Sequence, residues 1–250
     1  MMKTTFHFNG GVRKTFFKQS RKNKYNIMSQ YENLLNAIIK AKLPDINAAI
    51  GGAIKSQGLD PMIHVASGTD NIGSINLGIC TATASASYSL QNLTGLSSLV
   101  INSLVITSAT TGEDGKTVHG SVELNASMSS NLGINVGGRF TAGCGFLKPS
   151  VGISGSVSVS TVTVAASGDF DATVGSEICL TEINITNPGL NYGNIDVHID
   201  GLGIFNSLLG PLENFILGIV KGQIISAIQG ALTPPLNSAI NGQLPQCTSL

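Results

Sequence analysis

The chain has 250 residues, enough to bury a sizeable core in one large domain or two small ones. Charged residues make up 11% of it, against roughly 25% in an average soluble domain. Seven of the 14 basic residues lie before residue 28, so the remainder of the chain has 14 − 7 = 7 basic residues and 14 acidic residues. This net negative charge argues against a nucleic-acid groove in the remainder.

Residues 1–28 form a basic leader without an acidic residue, and we expect it to be disordered. Its cations are Lys3, Arg13, Lys14, Lys18, Arg21, Lys22 and Lys24. The leader resembles a mitochondrial transit peptide in charge, but a disordered tail or a misplaced start codon is favoured, because Met28 directly precedes a capping-box spacing at Ser29 and Glu32. Since no secretory signal is visible, cytoplasmic localisation is favoured, and secretion stays open if the true N-terminus differs.

The four cysteines, Cys80, Cys144, Cys179 and Cys247, are far apart in sequence and form no C-x-x-C pair. Zinc binding and thioredoxin-like chemistry are therefore unsupported. Without an export signal, we expect free thiols.

A first helix is predicted from Ser29 to Gln57. Its apolar positions recur every three or four residues, which is the spacing of one helical face: Leu35, Ile39, Leu43, Ile46, Ile50 and Ile54. The phase continues past Pro44, which indicates one kinked helix. Gly58 can adopt the left-handed conformation that ends a helix, and the Asp60-Pro61 pair disfavours a restart.

Residues 72–200 alternate apolar and polar residues, which predicts long antiparallel strands. The alternating positions include Ile75, Leu77 and Ile79; Ala82, Ala84, Ala86, Tyr88 and Leu90; Val118, Val122, Leu124, Ala126 and Met128; Val151, Ile153, Val157 and Val159; and Ile195, Val197 and Ile199. The phase slips after Ile79, which we interpret as a β-bulge, and again between Val159 and Val162. The Asp114-Gly115 pair predicts a tight hairpin. Asp169 and Asp171 are assigned to a turn.

A second long helix is predicted from the broad apolar stripe between Phe205 and Ala231, with Pro211 kinking it or lying in its first turn and Pro234-Pro235 ending it. About 28 residues give about 42 Å of helix, close to the roughly 43 Å of a 13-residue strand. A transmembrane helix is disfavoured because Glu213, Lys221 and Gln223 interrupt the stripe.

A helix, the motif Gly58-Leu59-Asp60-Pro61-Met62, a long β-rich stretch and a final apolar helix together resemble the tubular lipid-binding superfamily. This superfamily includes the bactericidal/permeability-increasing-like, takeout and juvenile-hormone-binding proteins and a related mite allergen family. The order of elements covers residues 29–245. The secreted members usually carry a signal peptide and an N-terminal disulfide, and neither is visible in this sequence.

The resemblance implies an α+β fold, with a long curved antiparallel sheet wrapped around the C-terminal helix and a kinked N-terminal helix. The fold is expected to form one domain at residues 29–245, followed by a tail at residues 246–250. It also implies an elongated apolar cavity for a lipid, sterol or terpenoid. The residues expected to line it are Leu35, Ile39, Ile46, Ile50, Leu77, Val122, Leu124, Leu209, Leu212, Phe215, Ile216, Ile219 and Val220.

The function that this implies is non-enzymatic binding or transfer of a hydrophobic small molecule or lipid. Transient contact with a membrane is possible in this function. No cofactor, metal or nucleic-acid partner is expected. The alternative is a structural or adhesive β-rich protein with a fully packed core, which the Ser, Thr, Gly and Asn content favours.

Three weaker sequence patterns concern metal binding, phosphate binding and catalysis. Asp196, His198 and Asp200 share one strand face and could ligate a metal, but such a trio is more often a wet strand face. The Gly112–Thr117 segment ends like a phosphate-binding loop but lacks its first glycine. No G-x-S-x-G motif is present, so no catalytic residue is assigned.

Overall fold

The computed structural model describes residues 12–76, 80–145 and 148–250. The helices are α1 (Val12–Ser56), α2 (Leu209–Ile219) and α3 (Ile225–Asn241), with 3₁₀ turns at Leu96–Ser98 and Gly203–Leu208 and a π-helical turn at Val220–Ile224. The strands are β1 (Met62–Asn76), β2 (Thr81–Thr94), β3 (Leu99–Thr111), β4 (Thr117–Met128), β5 (Leu132–Gly143), β6 (Ser150–Val159), β7 (Thr163–Val174), β8 (Glu177–Asn191), β9 (Ile195–Asp200) and β10 (Gln246–Ser249).

The first helix is continuous through Pro44, as its apolar spacing predicts, and its periodic residues are buried apart from Leu43, which is half-buried. It begins at Val12, earlier than the capping box suggests, so residues 12–28 of the leader have a helical backbone. Glu32 does not cap this helix; its Oε1 accepts a hydrogen bond from the Ala109 N–H of β3 at 3.1 Å. The boundary between leader and domain stays a prediction.

The GLDP motif ends α1 and positions the next turn. Gly58 has a φ of 70°, and the Leu59 N–H donates back to the Ile54 carbonyl at 3.2 Å, as in a glycine-terminated helix. The Asp60 carboxylate accepts hydrogen bonds from the N–H groups of Gly95, at 3.3 Å, and Ser97, at 2.6 Å. The motif therefore fixes the 3₁₀ turn that leads into β3.

The strands form two antiparallel five-stranded sheets and not the one sheet predicted, although the α+β class with two long helices is confirmed. Sheet A has the order β1-β2-β5-β6-β9, and sheet B has the order β10-β8-β7-β4-β3. The buried hydrophobic residues of both sheets, apart from Ala82, belong to one hydrophobic cluster. Both edge strands of sheet A, β1 and β9, contact α2, so this sheet curls around the helix.

The first predicted phase slip, after Ile79, involves residues outside the described part of the chain, so its interpretation as a bulge stays a prediction. Strands β1 and β2 pair with Ile75 opposite Ala82. The actual register shifts of β1 lie at His64/Ala66 and Asn71/Gly73. The second slip falls between the end of β6 and the start of β7.

The Asp114-Gly115 hairpin joins β3 to β4, as predicted. Asp114 Oδ1 accepts hydrogen bonds from the N–H groups of Lys116 (2.9 Å) and Thr117 (3.0 Å) and from the Thr117 hydroxyl (2.9 Å). These bonds, led by the one from the Lys116 N–H, lower the pKa of Asp114 below its ordinary value. The assignment of Asp169 and Asp171 to a turn was wrong, because both are exposed residues of β7.

Helix α1 covers the free edge of sheet B through asparagine side chains. Asn47 Nδ2 donates to the Ile101 carbonyl at 3.0 Å, and its Oδ1 accepts from the Ile101 N–H at 2.8 Å. Asn36 makes the same pair of bonds with Ile106, at 3.1 and 2.8 Å. Each carboxamide replaces the groups that a neighbouring strand would supply, so the edge of β3 is closed.

On the opposite side of sheet B, helix α3 covers in the same way the part of β8 that extends past β10. Asn237 exchanges two hydrogen bonds with the backbone of Ile185, at 2.7 and 3.1 Å, and Asn241 exchanges two with Ile183, at 2.9 and 2.8 Å. Because α1 and α3 also contact each other, sheet B and the two helices form a closed ring.

The C-terminal helical segment is longer than predicted, because α3 continues through Pro234 and Pro235 to Asn241. Pro211 lies in the first turn of α2, as expected. By length and composition, Leu209–Asn241 could span a membrane, so the sequence argument against a span was too strict. In its most apolar window 39% of the residues are buried, and these form the stripe that packs in the core.

All four cysteines are paired, and the expectation of free thiols was wrong. Cys80 and Cys144 lie at the ends of the paired strands β2 and β5, with Cα atoms 6.3 Å apart. Cys179 of β8 lies directly opposite Cys247 of β10, inside the segment predicted as a tail. Strand pairing therefore joins cysteines that are 64 and 68 residues apart in sequence.

Candidate ligand-binding site

The residues predicted to line a cavity are mostly core residues. Ten are buried: Leu35, Ile39, Ile46 and Ile50 on α1, Val122 and Leu124 on β4, Leu212, Ile216 and Ile219 on α2, and Val220 in the π-helical turn. Leu209 and Phe215 are half-buried against the same cluster, and Leu77 lies outside the described residues. The α1 and β4 members belong to the side of sheet B, whereas α2 contacts sheet A. Their role in lining a cavity stays a prediction.

Two aromatic side chains on the concave face of sheet A are partly exposed. Tyr88 of β2 points to the face that α2 contacts, where its ring meets Phe215 edge to face with centroids 5.6 Å apart. Both aromatic residues are only half-buried, although β2 is an inner strand of its sheet. The two side chains are therefore accessible from outside where sheet A faces α2.

Two glycines flank Tyr88 in the neighbouring strands, Gly68 of β1 and Gly138 of β5. Gly138 is exposed, whereas the residues before and after it on the same face, Val136 and Phe140, are 4% and 0% exposed. The Tyr88 ring leans over Gly68, since a Cβ there would lie 2.7 Å from the Tyr88 Oη. We call the region lined by Gly68, Tyr88, Gly138 and Phe215 the Tyr88 recess.

The concave face of β2 and β5 around the recess is apolar. It carries small buried residues, namely Ala82, Ala84, Ala86 and Ala142, and larger ones, namely Leu90, Leu132, Ile134, Val136 and Phe140. Among residues 30–74, 80–145, 148–203 and 207–250, whose side chains the structure describes, no buried side chain is polar or charged. The Tyr88 hydroxyl is thus the polar group that β2 and β5 offer to the recess, and the arrangement suits an apolar ligand.

Two clefts of about 330 and 350 Å³ lie elsewhere, on the outer surface near a register shift of β8. They share Asn187, and the first is lined by exposed polar side chains that include Glu123, Asn125 and Ser167. Of the residues predicted to line the ligand cavity, Leu124 lies at the first of these two clefts, but its side chain is buried. The other predicted residues that the structure describes do not line either cleft.

The Asp196, His198 and Asp200 trio lies on the outer face of β9. His198 Nε2 is 3.3 Å from Asp200 Oδ2, and the two side chains are 72% and 65% exposed. In the described part of the chain, the group with metal-ligand spacing is Glu177, Cys179 and Cys247, but its two sulfurs are joined in a disulfide and are not available as thiolate ligands. The trio therefore fits a wet strand face.

Sequence reasoning missed the Tyr88 recess. Tyr88 stands in the predicted alternation, but an aromatic residue in such a pattern is usually core. Its partial exposure depends on Gly68 and Gly138, which become its neighbours only through the registers of β1 and β5. The available signal was one large aromatic residue among the alanines of β2.

The sequence matches no protein-family model and no curated protein. Among solved structures, the fold is similar to a lipopolysaccharide binding protein, with a TM-score of 0.33, 19% identity and 78% of this chain covered. The chain spans 36% of the length of that protein. It is also similar to Takeout 1 of Epiphyas postvittana, with a TM-score of 0.34 and 12% identity over 84% of this chain and 92% of that one.

Proposed function

We propose that this protein is a non-enzymatic carrier that binds a hydrophobic small molecule, such as a lipid, sterol or terpenoid, between sheet A and α2. The observation that carries the proposal is the Tyr88 recess, an accessible region on the concave face of sheet A; the other concave-face residues of β2 and β5 are buried and apolar. Each CH₂ group that a ligand buries there contributes about 0.8 kcal/mol, so an alkyl chain needs no strong polar anchor.

The paired cysteines support an oxidising compartment as the place of action, because disulfides persist mainly in secreted and extracytoplasmic proteins. Secretion was the alternative to the favoured cytoplasmic localisation when the N-terminal sequence alone was considered. Transient contact with a membrane is part of the proposal, since a carrier must take up and release an apolar ligand.

The test is recovery of lipid from the purified protein. The protein is incubated with a total lipid extract, purified again and denatured, and the released lipids are identified by mass spectrometry. We expect a defined lipid class close to one molecule per chain. If no lipid is recovered, the proposal fails and a fully packed, structural protein becomes the better interpretation.

A matched pair of variants locates the bound lipid. Phe215→Asp places a carboxylate in the recess. An apolar lipid chain bound beside this carboxylate would remove water from it, which is costly, so lipid recovery should fall severalfold. Leu217→Asp changes a half-buried residue of the same helix that is outside the hydrophobic cluster, and recovery should stay near that of the unchanged protein. Circular dichroism of both variants checks that they are folded. Equal recovery from the two variants would place the lipid elsewhere.

A further inference from the structure

We propose that Tyr88 selects the ligand class: an uncharged amphiphile with one hydrogen-bonding oxygen, such as a long-chain alcohol, aldehyde, ketone or ester. This inference rests on the proposed function and adds a specificity-determining residue to it. The ligand oxygen binds the Tyr88 hydroxyl, and its carbon skeleton lies along the small-residue face of sheet A.

The position of the hydroxyl is the first support. Tyr88 lies on the concave face of an inner strand, and its ring is held between Phe215 and the backbone at Gly68. Among the residues whose side chains are described (30–74, 80–145, 148–203 and 207–250), no hydrogen bond joins the Tyr88 Oη to another group. A phenol can both donate and accept a hydrogen bond, so this group is ready to bind an alcohol or a carbonyl oxygen.

The charge pattern is the second support. Arg139 is adjacent in sequence to Gly138 but lies on the opposite face of β5, where its Nη1 donates to the Ser150 hydroxyl at 2.9 Å. On β2 and β5, the concave face around Tyr88 is lined by glycine, alanine and other apolar side chains. On the edge strand β1, the exposed Asp70 lies opposite Ala86 and therefore on the same face, so the charge nearest to the recess on this strand is negative. A carboxylate or phosphate in this place would lose hydration without gaining a cation, which is costly, whereas a neutral oxygen needs one hydrogen bond.

The test compares three ten-carbon ligands in a competition assay. Decan-1-ol, dec-1-ene and decanoate at pH 8 displace the fluorescent probe 1-aminoanthracene from the full chain, and the concentration for half displacement is measured. We expect decan-1-ol to bind more tightly than both other ligands. In Tyr88→Phe, which keeps the ring, decan-1-ol should bind about two- to tenfold more weakly, as expected for one hydrogen bond, and dec-1-ene should be unaffected.

Tyr31→Phe is the matched control, because Tyr31 is a half-buried tyrosine on α1, which packs on sheet B. It should leave all three affinities unchanged. If Tyr88→Phe binds decan-1-ol as the unchanged protein does, the role of Tyr88 is refuted while the carrier function stands. If decanoate binds more tightly than decan-1-ol, the neutral-ligand class is refuted. If neither the probe nor any ten-carbon ligand binds, the proposed function fails and this inference falls with it.

Discussion

Replacing Asn47 with alanine tests whether the asparagine side chains hold α1 to the edge of sheet B. The change removes two hydrogen bonds to Ile101, of 3.0 and 2.8 Å, at a partly buried site. At about 0.5–1.5 kcal/mol each, the bonds contribute about 2 kcal/mol, and the stranded backbone groups of Ile101 add about 1 kcal/mol more. Alanine has the better helix propensity by about 0.6 kcal/mol. The expected net loss in free energy of unfolding is therefore about 2–2.5 kcal/mol.

Urea unfolding followed by circular dichroism measures this loss by linear extrapolation. The matched control is Asn102→Ala, which removes an exposed asparagine of β3 that binds only the Ser127 hydroxyl, at 2.9 Å. This control should change the free energy of unfolding by less than about 0.5 kcal/mol. If Asn47→Ala costs no more than the control, the closure of the sheet edge by α1 does not stabilise the fold as argued.

Three further predictions follow from other parts of the structure. Cys247→Ser should lower the free energy of unfolding by about 4 kcal/mol in the chain-entropy treatment, because the disulfide closes a loop with a sequence separation of 68; calorimetry that finds no loss would contradict it. Carboxyl NMR should show that the pKa of Asp114 lies below its ordinary value of 3.8. The stabilising effect of this carboxylate is therefore present above pH 3.8 and is lost as the pH falls through the lowered pKa of the folded state. A pKa above 3.8 would refute the hairpin geometry. Gly68→Ala should displace the Tyr88 side chain and weaken the binding of 1-aminoanthracene. Gly152→Ala, which has open space around the new Cβ, should leave this binding unchanged. Equal probe affinity in the two variants would argue against the recess.

The features that sequence predicted well are those fixed by local chemistry. The spacing from Leu35 to Ile54 predicts α1 because one face of that helix is buried. Gly58 ends the helix, and Asp114-Gly115 forms the hairpin, because the required turn conformations depend on those residues themselves. The long strands also follow from alternation, which is why the α+β class with two long helices could be predicted.

The features that sequence missed depend on register between distant segments. The cysteine pairs, the edge closure by Asn36 and Asn47, and the opening beside Tyr88 all require knowing which strands are neighbours. A different reason applies to the two prolines inside α3. Pro235 is buried, and the carbonyls that the two prolines leave without a partner belong to Gly230, which is exposed, and Ala231, which is half-buried, so water can hydrate them at this surface.

The candidate site was predicted only in part. The apolar stripe of the last helix is buried as expected, but α1 and β4 pack on the side of sheet B, away from the recess that α2 forms with sheet A. Helical periodicity identifies a buried face and does not distinguish which of two sheets it meets.

The most direct test of the account is photolabelling with an alkyl diazirine alcohol, followed by peptide mapping. The account predicts saturable labelling of the peptides that contain Tyr88 and Phe215, with decan-1-ol as a competitor that removes the label. Labelling confined to the outer cleft around Asn187, or labelling that decan-1-ol does not reduce, would contradict a ligand site between sheet A and α2.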